Sequence, residues 1–379
     1  MRVLVAPDSF KGSLTSVQVA RALQQGWLRA RPRDTVELSP LADGGEGTLD
    51  AVAAAGGWLE LPAMARDPLG EALDGRFLRR DDEAVIELAT ASGLSRLMPD
   101  RRDAMAASTF GTGLILAAAI GLGVRRVVLG LGGSATTDGG SGLIRALGAR
   151  LLDASGVDLP MGGGSLDRLA RVDLSSLSSV LGEVSLTVAS DVTNPLIGEL
   201  GAAATYGPQK GADAAQVARL DTNLRHYADL IERTSGRRVR DLPGAGAAGG
   251  TTAALLAIAD RFASFEVRPG IDVVMELTGF DERLDACDVV LTGEGRIDRQ
   301  TAFGKTALGV ARRAADHQRP CLCFGGGVTT EGIEALASLA VVVPVTEAPV
   351  SVKEQMAAGA APIERAAERV ARLLSLGLG

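Results

Sequence analysis

The chain has 379 residues, of which 46% are apolar, and a formal net charge of −7 at pH 7. This length exceeds what one hydrophobic core usually serves, so two domains are expected. Acidic and basic residues are interspersed, which argues against a nucleic-acid partner, and no apolar stretch is long enough for a membrane span or a signal peptide. Three cysteines without a CxxC pair predict neither a disulfide framework nor a four-ligand zinc site. We therefore expect a cytoplasmic protein.

The N-terminal segment has the pattern of a parallel sheet. An apolar strand at 3–6 ends at Pro7, apolar residues at helical spacing occupy 14–29, and a second strand at 35–38 ends before Pro40. A strand, a loop, a helix and a second strand in this order are typical of a parallel α/β sheet.

The middle of the chain has a different pattern. Residues 76–80 and 84–88 flank a pair of aspartates and predict a hairpin. Residues 126–129 and 184–189 predict two further strands, separated by long helical and glycine-rich segments. These elements indicate a second α/β domain.

Three strands are predicted near the C-terminus, at 289–291, 321–324 and 339–343, and each precedes a loop rich in glycine, proline or aspartate. With the two N-terminal strands they suit one open parallel sheet whose binding edge lies at the carboxyl ends of the strands. The last helix, predicted at 363–376, is amphipathic and is expected to pack on this sheet.

The predicted fold class is α/β with two domains. One is a discontinuous parallel-sheet domain of the flavodoxin or Rossmann type, residues 1–65 plus 283–379. The other is an inserted mixed α/β domain, residues 66–282. The cleft between the two is the expected active site, since ligand sites occur preferentially at domain interfaces. The sequence does not indicate an oligomeric state.

Seven loops are rich in glycine or in hydroxyl, acidic or lysine side chains, and most of them combine the two. They are PDSFKGS at 7–13, ADGGEGT at 42–48, GLGGSATTDGG at 130–140, SDVTNP at 190–195, GPQKGA at 207–212, GAGAAGG at 244–250 and TGEGRIDRQT at 292–301. Glycine lets backbone N–H groups approach a phosphate, aspartate holds Mg²⁺ or takes the proton of an attacking hydroxyl, and lysine neutralises charge on the transferring group. With only two histidines in the chain, acid–base chemistry falls to carboxylates and lysines. The loops therefore predict a distributed site for a polyanion and a metal.

Two short motifs leave another function open. GAGAAGG has the spacing of a dinucleotide fingerprint, but the tripeptide DLP precedes it instead of a strand. Residues 304–306, GKT, match the last three positions of a Walker A motif, but Arg299 occupies the position of its first glycine. A nicotinamide-dependent hydroxy-acid dehydrogenase is therefore one alternative function. A non-catalytic sugar-acid-binding protein is the other.

Single residues also have simpler interpretations. For Lys11 and Lys210, the sequence is as compatible with a solvated surface lysine as with a functional role. For Asp191 and Asn194, the sequence is as compatible with an Asx turn before Pro195 as with a functional role. Only the whole set of loops favours the functional interpretation.

In this order, PDSFKGS, ADGGEGT, GLGGSATTDGG, SDVTNP, GPQKGA, PGAGAAGG, RPGID at 268–272 and TGEGRID resemble the motifs of the bacterial glycerate kinases. The resemblance extends from Met1 to the C-terminal helix. It implies ATP-dependent phosphorylation of D-glycerate to a phosphoglycerate in a two-domain α/β protein, with Mg²⁺ accompanying the nucleotide. The chain departs from the family at Thr137, where asparagine is usual, and at Phe303, where histidine is frequent.

Together, the loops and the resemblance suggest a role for each candidate residue. Asp191 is the preferred base or hydroxyl-orienting group and Asp298 the second choice, while Lys210 and Lys11 balance phosphate or carboxylate charge. The expected sites are Ser9, Lys11, Asp43, Arg66 and Arg296 for glycerate, Gly132, Gly133, Ser134, Gly293 and Glu294 for ATP phosphates, and Asp138 and Asp191 for the metal. The sequence leaves open whether the 2- or the 3-hydroxyl of glycerate is phosphorylated.

Overall fold

The computed structural model describes residues 1–298 and 306–376. In chain order the strands are β1 Arg2–Val5, β2 Thr35–Leu38, β3 Leu59–Arg66, β4 Ala72–Arg80, β5 Glu83–Glu87, β6 Arg126–Gly130, β7 Arg150–Leu152, β8 Arg171–Asp173, β9 Ser185–Ala189, β10 Ser264–Arg268, β11 Val289–Ile297, β12 Cys321–Val328 and β13 Val341–Pro344. The α-helices are α1 Ser16–Ala30, α2 Thr48–Ala55, α3 Ala89–Ser92, α4 Phe110–Gly121, α5 Ser141–Ala146, α6 Ala202–Tyr206, α7 Ala214–Ser235, α8 Ala247–Ala257, α9 Gly270–Leu277, α10 Phe280–Asp285, α11 Thr306–Asp316, α12 Thr330–Leu336, α13 Val352–Ala357 and α14 Ala361–Ser375. Within the described residues, no helix has both the length and the apolar character needed to cross a bilayer.

Five parallel strands form one sheet in the order β13-β12-β11-β1-β2. β1 pairs with β11 from Val3↔Val289 to Val5↔Leu291, so strands from opposite ends of the chain are neighbours. Counted along the chain within this sheet, the order is 2-1-3-4-5, which is the order of flavodoxin-like folds. The five predicted strands are present, and the predicted fold class is confirmed.

Alternate side chains of β1 enter two separate core layers. Val3 and Val5 pack with residues of α1 and α14, whereas Leu4 packs with residues of α9, α10, α11 and α12. Successive side chains of a strand point to opposite faces, so an apolar strand run needs helices on both faces of the sheet. Cys321 and Cys323 are buried free thiols in the same core layer as Leu4.

The second sheet is mixed and has the strand order β10-β9-β6-β5-β4-β3. Strands β10, β9, β6 and β5 are parallel, and β4 runs antiparallel to both of its neighbours. The predicted hairpin is present, and Asp81 in its turn has φ 54°. The edge strands β3 and β10 were not predicted: LELPAMAR and SFEVR do alternate apolar with other residues, but most of their residues are exposed and no continuous apolar run marks them.

The chain forms two compact units, here called the parallel-sheet unit and the mixed-sheet unit. The former comprises Met1–Asp43, Asp50–Gly57 and Gly270–Gly379, and the latter Gly44–Leu49 and Trp58–Pro269. These bounds differ from the predicted 1–65, 66–282 and 283–379. The first difference arises because β3 pairs with β4 along its whole length, and the second because α9 and α10 pack in the core layer that contains Leu4.

Helices α1 and α14 leave no space for a side chain at Gly26. A Cβ placed there would lie 2.0 Å from the carbonyl oxygen of Glu364. We expect Gly26→Ala to lower the free energy of unfolding by about 1–3 kcal/mol, because overpacking a close contact displaces backbone. Urea unfolding followed by circular dichroism measures this change.

Gly121→Ala is the matched control, because a Cβ at this last residue of α4 meets nothing within 4 Å. There alanine should be neutral or stabilise by up to about 1 kcal/mol through its helix propensity. Equal effects of the two substitutions would show that the α1–α14 contact is not tight.

Candidate active site

A cavity of about 530 Å³ lies in the parallel-sheet unit, at the carboxyl ends of β1 and β11. From these two adjacent strands the sheet extends to β2 on one side and to β12 and β13 on the other. In open α/β sheets this switch point is the usual ligand site, because the following loops leave in opposite directions and open a crevice. The PDSFKGS and TGEGRID loops meet here, and the latter includes the end of β11.

One wall of the cavity carries three carboxylates and a lysine. Asp8 and Glu294 are buried, and Lys11 Nζ lies 3.3 Å from Asp43 Oδ2. Burial, together with the charge of Asp43, raises the pKa of the Asp8 carboxyl. The charge of Asp43 is also the main reason that the pKa of Lys11 is raised. The sequence analysis named Lys11, Asp43 and Glu294 but missed Asp8.

Asp8 is held by two donors. Thr306 Oγ1 donates to Asp8 Oδ2 at 2.8 Å, and the backbone N–H of Ser9 donates to Oδ1 at 2.6 Å. Asp8 directly follows the Pro7 that ends the first strand, a position at the carboxyl edge of a parallel sheet, and this signal could have identified it. Ser9 is half-buried and also lines the cavity.

Arg296 and Asp298 form an ion pair at the rim. Arg296 Nε lies 2.9 Å from Asp298 Oδ2, and the arginine side chain is 72% exposed. The structure therefore brings Ser9, Lys11, Asp43, Glu294, Arg296 and Asp298 together in one unit. Gly293 is different: it is buried in β11, and a Cβ there would lie 2.4 Å from the carbonyl oxygen of Phe324. Close strand packing explains this glycine.

Another part of the cavity lining, here called the apolar wall, consists of apolar side chains. Phe10, Val352, Met356 and Ile363 line it. Helix α13 is fixed to the sheet by Gln355, whose Nε2 donates to the Gly326 carbonyl and to Thr346 Oγ1, both at 2.6 Å. This wall was not predicted, because Phe10 and residues 352–363 lie at opposite ends of the chain.

In the mixed-sheet unit, the predicted loops collect at the carboxyl edge of the parallel strands. GLGGSATTDGG begins at the end of β6, and SDVTNP follows the adjacent β9, so the exposed Asp191 lies at this edge. Arg66 ends β3, three strands away from β6, or about 14 Å at the usual strand spacing. Its Nη1 donates to the Gly70 carbonyl at 2.7 Å.

The glycines of GLGGSATTDGG are needed for close backbone packing. A Cβ on Gly130 would lie 2.5 Å from the Gly44 carbonyl oxygen, and one on Gly132 would lie 2.3 Å from Gly45 Cα. Gly133 has φ 76° and is exposed. Two of these glycines therefore have a structural reason, and the phosphate-binding role of this loop stays a prediction.

Lys210 is a buried lysine whose ammonium group is hydrogen-bonded to the GLGGSATTDGG loop. Its Nζ donates to Ser134 Oγ at 3.0 Å and to the Thr136 carbonyl at 2.5 Å. Burial lowers the pKa of Lys210 to about 7, although the charge of Asp138 opposes the shift. The interpretation of Lys210 as a solvated surface lysine is therefore wrong.

Asp138 has a structural set of partners. Its carboxylate accepts from the Thr109 N–H and hydroxyl, both at 2.9 Å, from the Ser108 hydroxyl at 3.3 Å, and from the N–H groups of Gly140 and Gly142 at 3.1 and 3.2 Å. Asp138 is fully buried, so binding a metal would require breaking these bonds. Over residues 1–298 and 306–376, no group of three or more His, Cys, Asp or Glu side chains could hold a metal.

The geometry of GAGAAGG does not fit a dinucleotide fingerprint. The segment is preceded by turns, and it enters α8 through Ala248, Gly249 and Gly250, which all have positive φ. A Cβ on Gly249 would lie 2.0 Å from the Thr136 carbonyl oxygen. These glycines allow two loops to cross closely. Phe303 and the GK of GKT lie outside the described residues.

Comparison with known proteins gives concordant matches. Residues 3–375 match the model of the Glycerate kinase family. A glycerate kinase of Halalkalibacterium halodurans is 42% identical over 97% of each chain, and a glycerate 2-kinase of Escherichia coli K12 is 41% identical over 89% of this chain and 90% of that protein. The crystal structure of a candidate glycerate kinase 2 from Salmonella typhimurium LT2 superimposes with a TM-score of 0.83 at 40% identity, covering 100% of this chain and 99% of the other.

Lys210 should titrate near neutral pH. The chain has four lysines, so selective ¹³Cε labelling gives a spectrum in which each can be assigned by substitution. We expect one signal to titrate with a pKa of about 7 and to vanish in Lys210→Met. The Lys11 signal should titrate above its ordinary value and return towards it in Asp43→Asn, because that carboxylate is the main cause of the shift.

The same burial affects stability. Between about pH 7 and 10.5 the unfolded chain binds a proton at Lys210 that the folded chain does not, so the free energy of unfolding should rise with pH in this window. The slope from this group is at most about 1.4 kcal/mol per pH unit. Urea titrations should show the slope in Lys353→Met, an exposed control, and its loss in Lys210→Met. An unchanged slope in both variants would contradict a buried neutral lysine.

Proposed function

This chain belongs to the glycerate kinase family and is an enzyme of that activity, and we propose that it transfers the γ-phosphoryl group of ATP to the 2-hydroxyl of D-glycerate. The family match over residues 3–375 carries the activity. The choice of the 2-hydroxyl is supported by the 41% identical relative named glycerate 2-kinase. The dehydrogenase alternative finds no support, since no strand leads into GAGAAGG.

In phosphoryl transfer the protein itself has little covalent chemistry to perform. Catalysis comes from positioning the hydroxyl in line with the γ-phosphorus and from stabilising charge on the phosphoryl oxygens. For the hydroxyl we propose Asp191, because this exposed carboxylate directly follows the carboxyl end of a parallel strand. Asp298 is the second choice, because its carboxylate already forms an ion pair with Arg296.

We assign Lys210 a positioning role. Its Nζ is buried and hydrogen-bonded to Ser134 and to the Thr136 carbonyl. The lysine therefore acts through the GLGGSATTDGG loop. In this proposal the loop presents Gly132, Gly133 and Ser134 to phosphate oxygens, and the lysine keeps the loop in one conformation. A phosphate nearby would favour the charged form of the lysine and raise its pKa.

Lys11 and Arg296 are two exposed cations that line the cavity of the parallel-sheet unit. Both stand at the cavity, and a guanidinium or ammonium group can bind either a carboxylate or a phosphate. Arg66 stays a prediction as a glycerate ligand; its side chain is bonded to its own hairpin turn.

Mg²⁺ is proposed as a companion of ATP. Magnesium usually keeps several waters and binds through one or two carboxylates together with substrate phosphates, so it needs no dedicated protein cage. This agrees with the donor groups of the described residues, which include no group of three acidic, histidine or cysteine side chains suited to a metal. Asp191 is the better of the two predicted ligands, since Asp138 is fully buried.

The product identifies the reaction. After incubation of the protein with Mg-ATP and D-glycerate, phosphorus NMR should show ADP and a phosphoglycerate. A phosphate on the 2-oxygen couples to one proton and gives a doublet, whereas one on the 3-oxygen couples to two and gives a triplet. A triplet would overturn the 2-hydroxyl assignment. The absence of either product, with reduction of NAD by glycerate, would favour a dehydrogenase.

Replacing the proposed base separates chemistry from binding. We expect Asp191→Asn to lower kcat by about two to four orders of magnitude with a small change in KM, the usual loss for a removed general base. Asp100→Asn, at another exposed aspartate of the same unit, should retain normal kcat. Near-normal turnover of a folded Asp191→Asn protein would remove this residue from the proton-handling role.

A further inference from the structure

We infer that the cavity of the parallel-sheet unit binds the nucleoside part of ATP, with the base on its apolar wall and the ribose towards its carboxylates. This inference rests on the proposed kinase activity and deepens it, because it assigns one of the two substrates to one cavity. Three features carry it: the volume of the cavity, the chemistry of its two walls and the position of its cations.

The volume favours the larger substrate. A cavity of about 530 Å³ falls in the range of about 300–1,000 Å³ that binds drug-sized ligands. Glycerate has a three-carbon skeleton and would leave most of this space to water. A purine joined to a ribose is a rigid ligand of the appropriate size.

The apolar wall suits a planar base. Phe10 is a buried residue of this wall. Val352 and Met356 of α13 also line it, with 72% and 39% of their surface exposed. A methionine thioether adapts to an aromatic face and makes favourable sulfur–aromatic contacts. Glycerate, with two hydroxyls and a carboxylate on three carbons, has no apolar face to cover these side chains.

The carboxylate wall suits hydroxyl donors and disfavours phosphates. Asp8, Asp43 and Glu294 contribute negative charge, and burial, together with the charge of Asp43, raises the pKa of Asp8. An anionic triphosphate among them would be repelled, whereas ribose hydroxyls can donate to carboxylate oxygens, as they do in dinucleotide-binding folds.

The cations stand where the phosphates would leave the cavity. Lys11 and Arg296 line the cavity with 76% and 72% of their side-chain surface exposed to solvent. A nucleotide seated with its base on the apolar wall would therefore have its anionic end beside the exposed positive charge.

Adenosine tests the inference without requiring turnover. We expect adenosine to bind wild-type protein in isothermal titration calorimetry, and to inhibit the kinase competitively against ATP but not against glycerate. Met356→Gln keeps the length of the side chain but places an amide on the apolar wall. It should weaken adenosine binding and raise the KM for ATP about tenfold, with an unchanged KM for glycerate.

Two further variants keep the test independent of folding. Val352→Asp changes a side chain that is largely exposed, so the fold tolerates it, and it should reproduce the loss of adenosine binding. Met64→Gln, at a methionine 87% exposed outside the cavity, should leave both KM values and adenosine binding unchanged.

The outcomes separate the two claims. If adenosine does not bind the wild-type protein, or if Met356→Gln and Val352→Asp raise the KM for glycerate as much as the KM for ATP, the nucleoside assignment is overturned. If no phosphoglycerate forms, the kinase proposal fails, and adenosine calorimetry with the three variants still decides whether the cavity is a nucleoside site.

Discussion

The parallel pairing of β1 with β11 is the constraint on which the cavity depends. Val3 is in register with Val289, so the whole mixed-sheet unit lies in the sequence between two strands that are adjacent in the sheet. Such pairing closes a very long loop, and its entropic cost is offset by burial of both faces of the sheet under helices. Because β1 and β11 are neighbours, the loops after them diverge, and the crevice that opens brings Asp8, Lys11 and Glu294 into one wall.

Close backbone contact is the second constraint. Gly130 and Gly132 approach Gly44 and Gly45 at distances that exclude a side chain, and Gly249 approaches Thr136 in the same way. The glycine-rich sequences therefore have two uses that composition does not separate. Some glycines let the loops of the mixed-sheet unit stack on one another, while Gly133 is exposed and free of close backbone contact.

Much of the architecture could be predicted from periodicity. The five strands of the parallel sheet and the hairpin of β4 and β5 follow from apolar runs and turn residues. The edge strands β3 and β10 lack such runs, because an edge strand buries few side chains; the period-2 alternation of LELPAMAR and SFEVR was the signal that could have identified them. Two of the bounds follow from β3 and from α9 and α10, whereas Gly44–Leu49 belongs to the mixed-sheet unit, where Gly44 and Gly45 contact Gly130 and Gly132.

For the candidate site, the sequence by itself determined which loops carry chemistry, because glycine, aspartate and lysine in ordered motifs are properties of local composition. Tertiary structure decided what each residue touches. It buried Lys210 under the GLGGSATTDGG loop, bound Asp138 to five donors, and added Asp8 and an apolar wall from α13 and α14 to the cavity. The physical reason is that burial and contact are set by segments far apart in the chain, and these determine whether a charged group is a ligand, a structural bond or a buried neutral base.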